Sequence, residues 1–195
     1  GWGGVLCEYS LDSFENWSPI TTEDIQPGTF DVIVTNPPFG KKLSIDTTEI
    51  LSLYDLGHKW KQETDGTFVK GELVDKQPPQ LLFIERCFQM LKDGGRMGIV
   101  LLESIFGMPK YQYVVNYIQS KAKILAVVTL PEDLFQPHTH AKCCVLICQK
   151  YNKGESFEYC SDYDVFMSDV KWCGHDSRGN VTYTYTDTGE KVILD

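Results

Sequence analysis

No stretch of the 195-residue chain holds about 18 consecutive apolar residues, which excludes a helical membrane span. No secretory leader is legible, in a chain that opens at Gly1 without a methionine. Basic charge is scarce: 18 Lys and Arg stand against 27 Asp and Glu, for a net charge of −9. A protein that grips duplex DNA by itself is usually basic, because neutralised phosphates and released counterions dominate affinity. Lys121, Lys123, Lys150 and Lys153 read as solvated positions, so any nucleic-acid role needs most of its grip from elsewhere. Paired C-x-x-C spacing is also missing. His138, His140, Cys143 and Cys144 are close in sequence, as are Cys173 and His175, but neither group has the spacing of a zinc site. Adjacent Cys143 and Cys144 would point to opposite faces of a strand, so no metal is expected. The seven cysteines are an odd number, and Cys87, Cys143, Cys144 and Cys148 fall inside predicted elements. Buried thiols in a reducing cytoplasm fit that pattern better than a disulfide scaffold does.

What is present is an apolar content of 42%, enough for one domain with a full core. The most informative residues are Asn36-Pro37-Pro38-Phe39, which follow the run Phe30-Asp31-Val32-Ile33-Val34-Thr35 directly. A β-branched run that ends this way reads as a buried strand with a rigid polar site at its carboxyl end. Each proline fixes its own φ and biases the residue before it towards extended backbone. The Asn36 side chain and the neighbouring peptide carbonyls are therefore aimed with little freedom to lose. One amide oxygen, one fixed carbonyl and one aromatic face suit an exocyclic amino group on a flat ring, such as that of adenine. The plainer reading is a strand that stops at a Pro-Pro turn beside a surface Phe39, and a four-residue motif needs its context to decide.

The context is an α/β pattern. Val5 to Cys7 is a candidate short strand, and Ser10 to Gly28 reads as a loop with one helical turn. Residues 41–78 are polar, with Gly66, Gly71, Pro78 and Pro79 as breakers, and are expected to form a functional or mobile loop. His58, Lys61 and Lys70 in that stretch are candidate phosphate contacts or plain solvated positions. Gln80 to Lys92 is a predicted helix with Leu81, Ile84, Phe88 and Leu91 on one face, ended by Asp93-Gly94-Gly95 in a left-handed cap. Met97 to Leu102 is a continuous apolar run, as in a parallel strand covered on both sides. Tyr111, Val114, Val115 and Ile118 mark a second amphipathic helix after Pro109. Ile124–Leu130 and Cys143–Ile147 are two more strands, and their connector lacks a helical period, so they are expected to pair antiparallel. Val181–Tyr185 and Lys191–Leu194 suggest a small β-hairpin appended to the sheet. This order is that of the second half of a doubly wound sheet, with ligands expected outside the carboxyl ends of its strands, at Asn36 and at Glu103-Ser104.

Several segments together resemble one family. Phe30 to Gly40, Leu91 to Leu101, Val127 to Lys142 and Gly174 to Asn180 occur in family order. They are similar to segments of N6-adenine DNA methyltransferases, above all the methyltransferase subunit of type I restriction–modification systems. The resemblance implies a Rossmann-like methyltransferase sheet with an antiparallel last strand and a small C-terminal β appendage. It implies transfer of a methyl group from S-adenosylmethionine to the N6 of an adenine flipped out of DNA. Catalytic roles then fall to Asn36, Pro37, Pro38 and Phe39, and specificity and restriction subunits are the implied protein partners. Asn36 would also border the cofactor. The family's cofactor-side acidic residue would align near Glu8, Tyr9 or Ser10; the best-aligned position is Tyr9, which departs from the family, and Glu8 is the nearby candidate ligand.

The family places a Gly-rich cofactor loop upstream of the motif, and Gly1-Trp2-Gly3-Gly4 is no such loop. Leu102 stands where the family usually has proline. Residues 1–150 are therefore expected to be a partial catalytic domain without the first strands, and residues 151–195 a β-hairpin and extended arm. Two other readings stay open: a catalytically inactive interaction module of the same fold, and an amino methyltransferase acting on RNA or on protein glutamine. Tyr is common at the fourth motif position in the latter, so Phe39 disfavours it.

Overall fold

The computed structural model describes residues 4–39, 43–158 and 162–195. Residues 4–9 carry no strand, against the expectation for Val5–Cys7. The loop to Gly28 holds a 3-10 turn at Phe14–Asn16 and the helix α1, Pro19–Asp24. Ser18 caps α1 by accepting from the Thr21 amide, and Pro19 occupies its first turn. The strand β1, Phe30–Thr35, forms as expected, and the short helix α2 spans Thr48–Leu51. Residues 58–73, expected to be loop, fold into two antiparallel strands, β2 (His58–Gln62) and β3 (Phe68–Leu73). The insertion is held by buried Leu51, Tyr54 and Leu56, apolar anchors spaced too irregularly among polar residues to show a period.

The helix α3 spans Pro79–Met90 and runs straight into β4, Leu91–Leu102. After it come α4 (Ser104–Gly107), α5 (Gln112–Lys121), β5 (Ala122–Thr129) and β6 (Cys143–Lys150). The main sheet has the order β1-β4-β6-β5-β7, where β7 is Phe166–Asp169. β1 and β4 are parallel, as are β5 and β7, while β6 runs antiparallel to both β4 and β5. The expected antiparallel pairing of the last two predicted strands is present, and β6 also inserts between β4 and β5. β7 had no sequence signal: its Phe166 and Met167 are exposed, so it shows neither alternation nor a buried run. The strands β8 (Tyr183–Tyr185) and β9 (Lys191–Ile193) form a separate two-stranded sheet and are not hydrogen-bonded to the main one.

Two further expectations give way. α3 ends at Met90 because Leu91 is already extended, so Asp93-Gly94-Gly95 is no helix cap. Gly94, at φ +75°, lies within β4 instead, where the β1 register shifts between Phe30 and Val32. A Cβ on Gly94 would come within 2.6 Å of the Asn152 side chain. β1 is the edge of the sheet, and Val32 (58%) and Val34 (82%) are exposed rather than buried. No described strand pairs with its outer side. On one face of the sheet α3 and α5 pack Leu81, Ile84, Phe88 and Ile118 with Met97, Ile99 and Leu101 of β4 and Leu146 of β6. Each such side chain, fully buried, contributes about 1.5–3 kcal/mol before conformational entropy is charged.

Candidate active site

The parallel pairing of β1 with β4, in the register Thr35 to Ile99, brings Asn36 and Glu103 to the same end of the sheet. Pro37 is buried, which fixes the chain where it leaves β1, while Asn36 and Pro38 face solvent. Beside them, the end of β4 is held by Gln80, which is buried and accepts from the Leu102 amide at 3.2 Å. The Glu103 amide donates to the Lys142 carbonyl at 3.0 Å, and their side chains form an ion pair at 3.1 Å. These contacts keep the carboxyl ends of β1 and β4 and the start of β6 in one rigid rim.

A cleft of about 390 Å³ opens on this rim, lined by Asn36, Pro37, Pro38 and Phe39 on one side and Leu134, Phe135, His138 and Thr139 on the other. The second wall is the β5–β6 connector, which forms the 3-10 turn Glu132–Phe135 and is tied by the Thr139 amide to the Phe135 carbonyl at 3.1 Å. The Phe39 and Phe135 rings meet edge to face, with centroids 5.8 Å apart and planes at 75°. Among the described residues the Asn36 side chain makes no hydrogen bond, so its amide oxygen is open to a partner in the cleft. The cleft thus combines a directed acceptor with two aromatic faces. Phe135, His138 and Thr139 had no role assigned from the sequence. The signal was a connector without helical period, placed at the strand ends where a doubly wound sheet binds ligands.

A second slot of about 330 Å³ lies on the other side of Pro38, lined by Glu8 to Leu11, Ile45, Ile50, Pro79 and Phe83 among others. Glu8 borders it, but its Oε1 is occupied, accepting from the Ser18 amide at 2.9 Å and from the Thr21 hydroxyl at 2.7 Å. Those hydrogen bonds hold its carboxyl below the usual range. Glu8 therefore acts first as a clamp on the start of α1. Residues 1–3 of the Gly-rich opening and residues 40–42 after the motif lie outside the described residues. The candidate phosphate contacts of the insertion are engaged within the chain. Lys61 pairs with Glu63 at 3.2 Å, Lys70 with Asp55 at 2.6 Å, and the His58 ring with the Tyr54 carbonyl at 2.9 Å. Burial pushes the thiols of Cys144 and Cys148 up to about 12, so neither is a nucleophile at neutral pH.

An α/β sheet whose rim carries Asn-Pro-Pro-Phe has the architecture of a methyltransferase catalytic domain. The family model described as N-6 DNA Methylase matches residues 9–183, and the chain belongs to that family. Among curated proteins, none matches this chain. Its fold is similar to that of a putative class I S-adenosylmethionine-dependent methyltransferase from Listeria monocytogenes, with 20% identity and a TM-score of 0.54 over 73% of this chain and 37% of that one. It is also similar to the type I restriction–modification methyltransferase subunit from Streptococcus thermophilus (20% identity, 89% of this chain and 32% of that one, TM-score 0.49). A third is a modification subunit of a putative type I restriction enzyme from Vibrio vulnificus YJ016, at 16% identity, 85% and 37% coverage and a TM-score of 0.46. The chain spans about a third of the length of these proteins.

Proposed function

We propose that this chain carries the methyl-acceptor half of an adenine-specific DNA methyltransferase, the modification subunit of a type I restriction–modification complex. The observation that carries the reading is the cleft that Asn36, at the carboxyl end of β1, lines together with the edge-to-face rings of Phe39 and Phe135. An adenine amino group is unreachable inside a stacked duplex, so the base must leave the helix at a cost of a few kcal/mol. Stacking on an aromatic side chain is worth about 1–3 kcal/mol per base and offsets much of that cost. The Asn36 side-chain oxygen and the Pro37 carbonyl accept hydrogen bonds from the amino hydrogens. As the nitrogen becomes tetrahedral its lone pair leaves conjugation, and these two acceptors bind the developing charge more tightly than they bind the planar amine.

S-adenosylmethionine, when bound, supplies a methyl group on an already activated sulfonium, so no strong base is required of the protein. The slot beside Pro38 fits one end of such a group: Leu11, Ile45, Ile50 and Phe83 offer apolar walls for a flat heterocycle, and Ser10 lies at the rim. The acidic charge of −9 agrees with a subunit whose hold on DNA comes largely from its partners.

The test is turnover of the complete complex on duplex DNA containing its target adenine. Asn36→Ala is expected to lose about 100- to 1,000-fold in turnover. Its melting temperature should stay unchanged, because the side chain is exposed and makes no hydrogen bond among the described residues. Methylation by Asn36→Ala at the wild-type rate would overturn the reading.

A further inference from the structure

Behind the Phe39 wall lies a third and larger cleft, of about 500 Å³, which the methyl-acceptor chemistry does not use. It shares Pro38, Phe39 and Thr139 with the Asn36 cleft, so one thin partition separates the two. Its volume is in the range of small-molecule sites, about 300–1,000 Å³. The walls are the apolar edges of Pro38 and Leu102 with the rings of Phe39 and Tyr111, and two exposed lysines, Lys76 and Lys110, stand on its lining. Lys59, Lys61, Lys70, Lys92, Lys142 and Lys150 all pair with carboxylates. Lys76 and Lys110 form no ion pair among the described residues, and the Lys110 ammonium rests over the Tyr111 ring, 4.7 Å from its centre. Two lysines without a carboxylate partner thus stand on one largely apolar cleft.

We infer that this cleft receives the nucleotide adjoining the target adenine on the same strand, its base against Phe39 and Tyr111 and its phosphate between Lys76 and Lys110. The inference rests on the proposed function, which puts the target base on the other side of Phe39. Aromatic and proline walls hold a base by stacking without reading its edge, so this site tolerates any sequence. The lysines supply point charges for phosphate rather than a geometric fork. With the two nucleotides on opposite sides of Phe39, the partition itself keeps the target base from restacking on its neighbour. That gives the ring a second task beyond contact with the target.

Amide NMR shifts of the full chain separate this inference from the reading beneath it, with deoxyadenosine and the dinucleotide d(ApT) as probes. Deoxyadenosine is expected to move only the surroundings of Asn36, Phe135 and His138. The dinucleotide should in addition move Ser104, Lys110 and Tyr111. In the double variant Lys76→Gln with Lys110→Gln, the shifts from deoxyadenosine should persist, while the affinity for d(ApT) should fall several-fold and depend less steeply on salt, because two screened charges on its phosphate are lost. Dinucleotide shifts confined to the Asn36 cleft, or an unchanged salt slope in the double variant, would overturn the inference and leave the proposed function standing. No shift at either cleft with either probe would overturn both.

Discussion

Glu85 lies in α3 with its carboxylate turned to the insertion, where Oε1 accepts from the Asp55 amide at 3.0 Å and Oε2 from the Leu56 amide at 2.9 Å. Next to it, Arg86 donates to the Tyr54 hydroxyl at 2.9 Å through Nε and to the Asp12 carbonyl at 2.5 Å, with its guanidinium 4.0 Å over the Phe14 ring. The Tyr54 hydroxyl donates in turn to the Leu11 carbonyl at 2.7 Å. Two buried charged residues on successive helix positions thus fasten both the insertion and the segment that lines the Pro38 slot. Desolvation raises the Glu85 carboxyl above its usual value, against the pull of the two amides. A group raised in the folded state contributes most below its unfolded value, near pH 4.5, and loses that contribution as pH rises through the folded value. Glu85→Gln replaces one acceptor by a donor that faces an N–H, and is expected to destabilise by about 1–3 kcal/mol. The gap between wild type and variant should widen from pH 7 towards pH 4.5, as followed by urea unfolding. A gap that narrows on acidification would contradict the assignment.

At the scale of elements, β1 is the one that most departs from its sequence. Six residues of near-continuous β-branched character predict burial on both faces, yet Val34 is 82% exposed at the sheet edge. An exposed apolar edge strand templates pairing with another chain. The chain at tens of micromolar is therefore expected to self-associate. Val34→Lys should suppress that association in sedimentation velocity while changing the stability by less than about 0.5 kcal/mol. Equal association of wild type and variant would show that this edge is not the adhesive one. α3 behaves in the opposite way: its Leu81, Ile84 and Phe88 stripe was legible, and all three side chains are buried as the 3.6-residue period requires.

For the whole molecule, the sheet order decides what this chain can do alone. The motif rim and the connector that faces it are both among the described residues, whereas the slot beside Pro38, the proposed cofactor site, offers apolar walls that suit a flat heterocycle alone. Titration calorimetry of the 195-residue chain with that compound should therefore show weak binding or none. Tight binding would mean that the slot and its surroundings hold more of the cofactor than its apolar lining indicates.

The sequence by itself determined the local pieces. Proline stereochemistry sets Asn36-Pro37-Pro38-Phe39 at a strand end, the 3.6-residue period sets α3 and α5, and the unpatterned connector makes β5 and β6 antiparallel. Those signals rest on short-range sterics and on single amphipathic faces, so they survive without partners. Pairing across the chain was decided only in three dimensions. The insertion of β6 between β4 and β5, the addition of β7, and the edge position of β1 depend on which backbone finds which neighbour. The Asn-Pro-Pro-Phe motif changed most through this: Phe39 is one wall of a two-ring cleft because the fold carries Phe135, 96 positions away in sequence, to a centroid distance of 5.8 Å. No spacing within one strand or helix encodes that meeting, since it is the sheet that brings the two loops together.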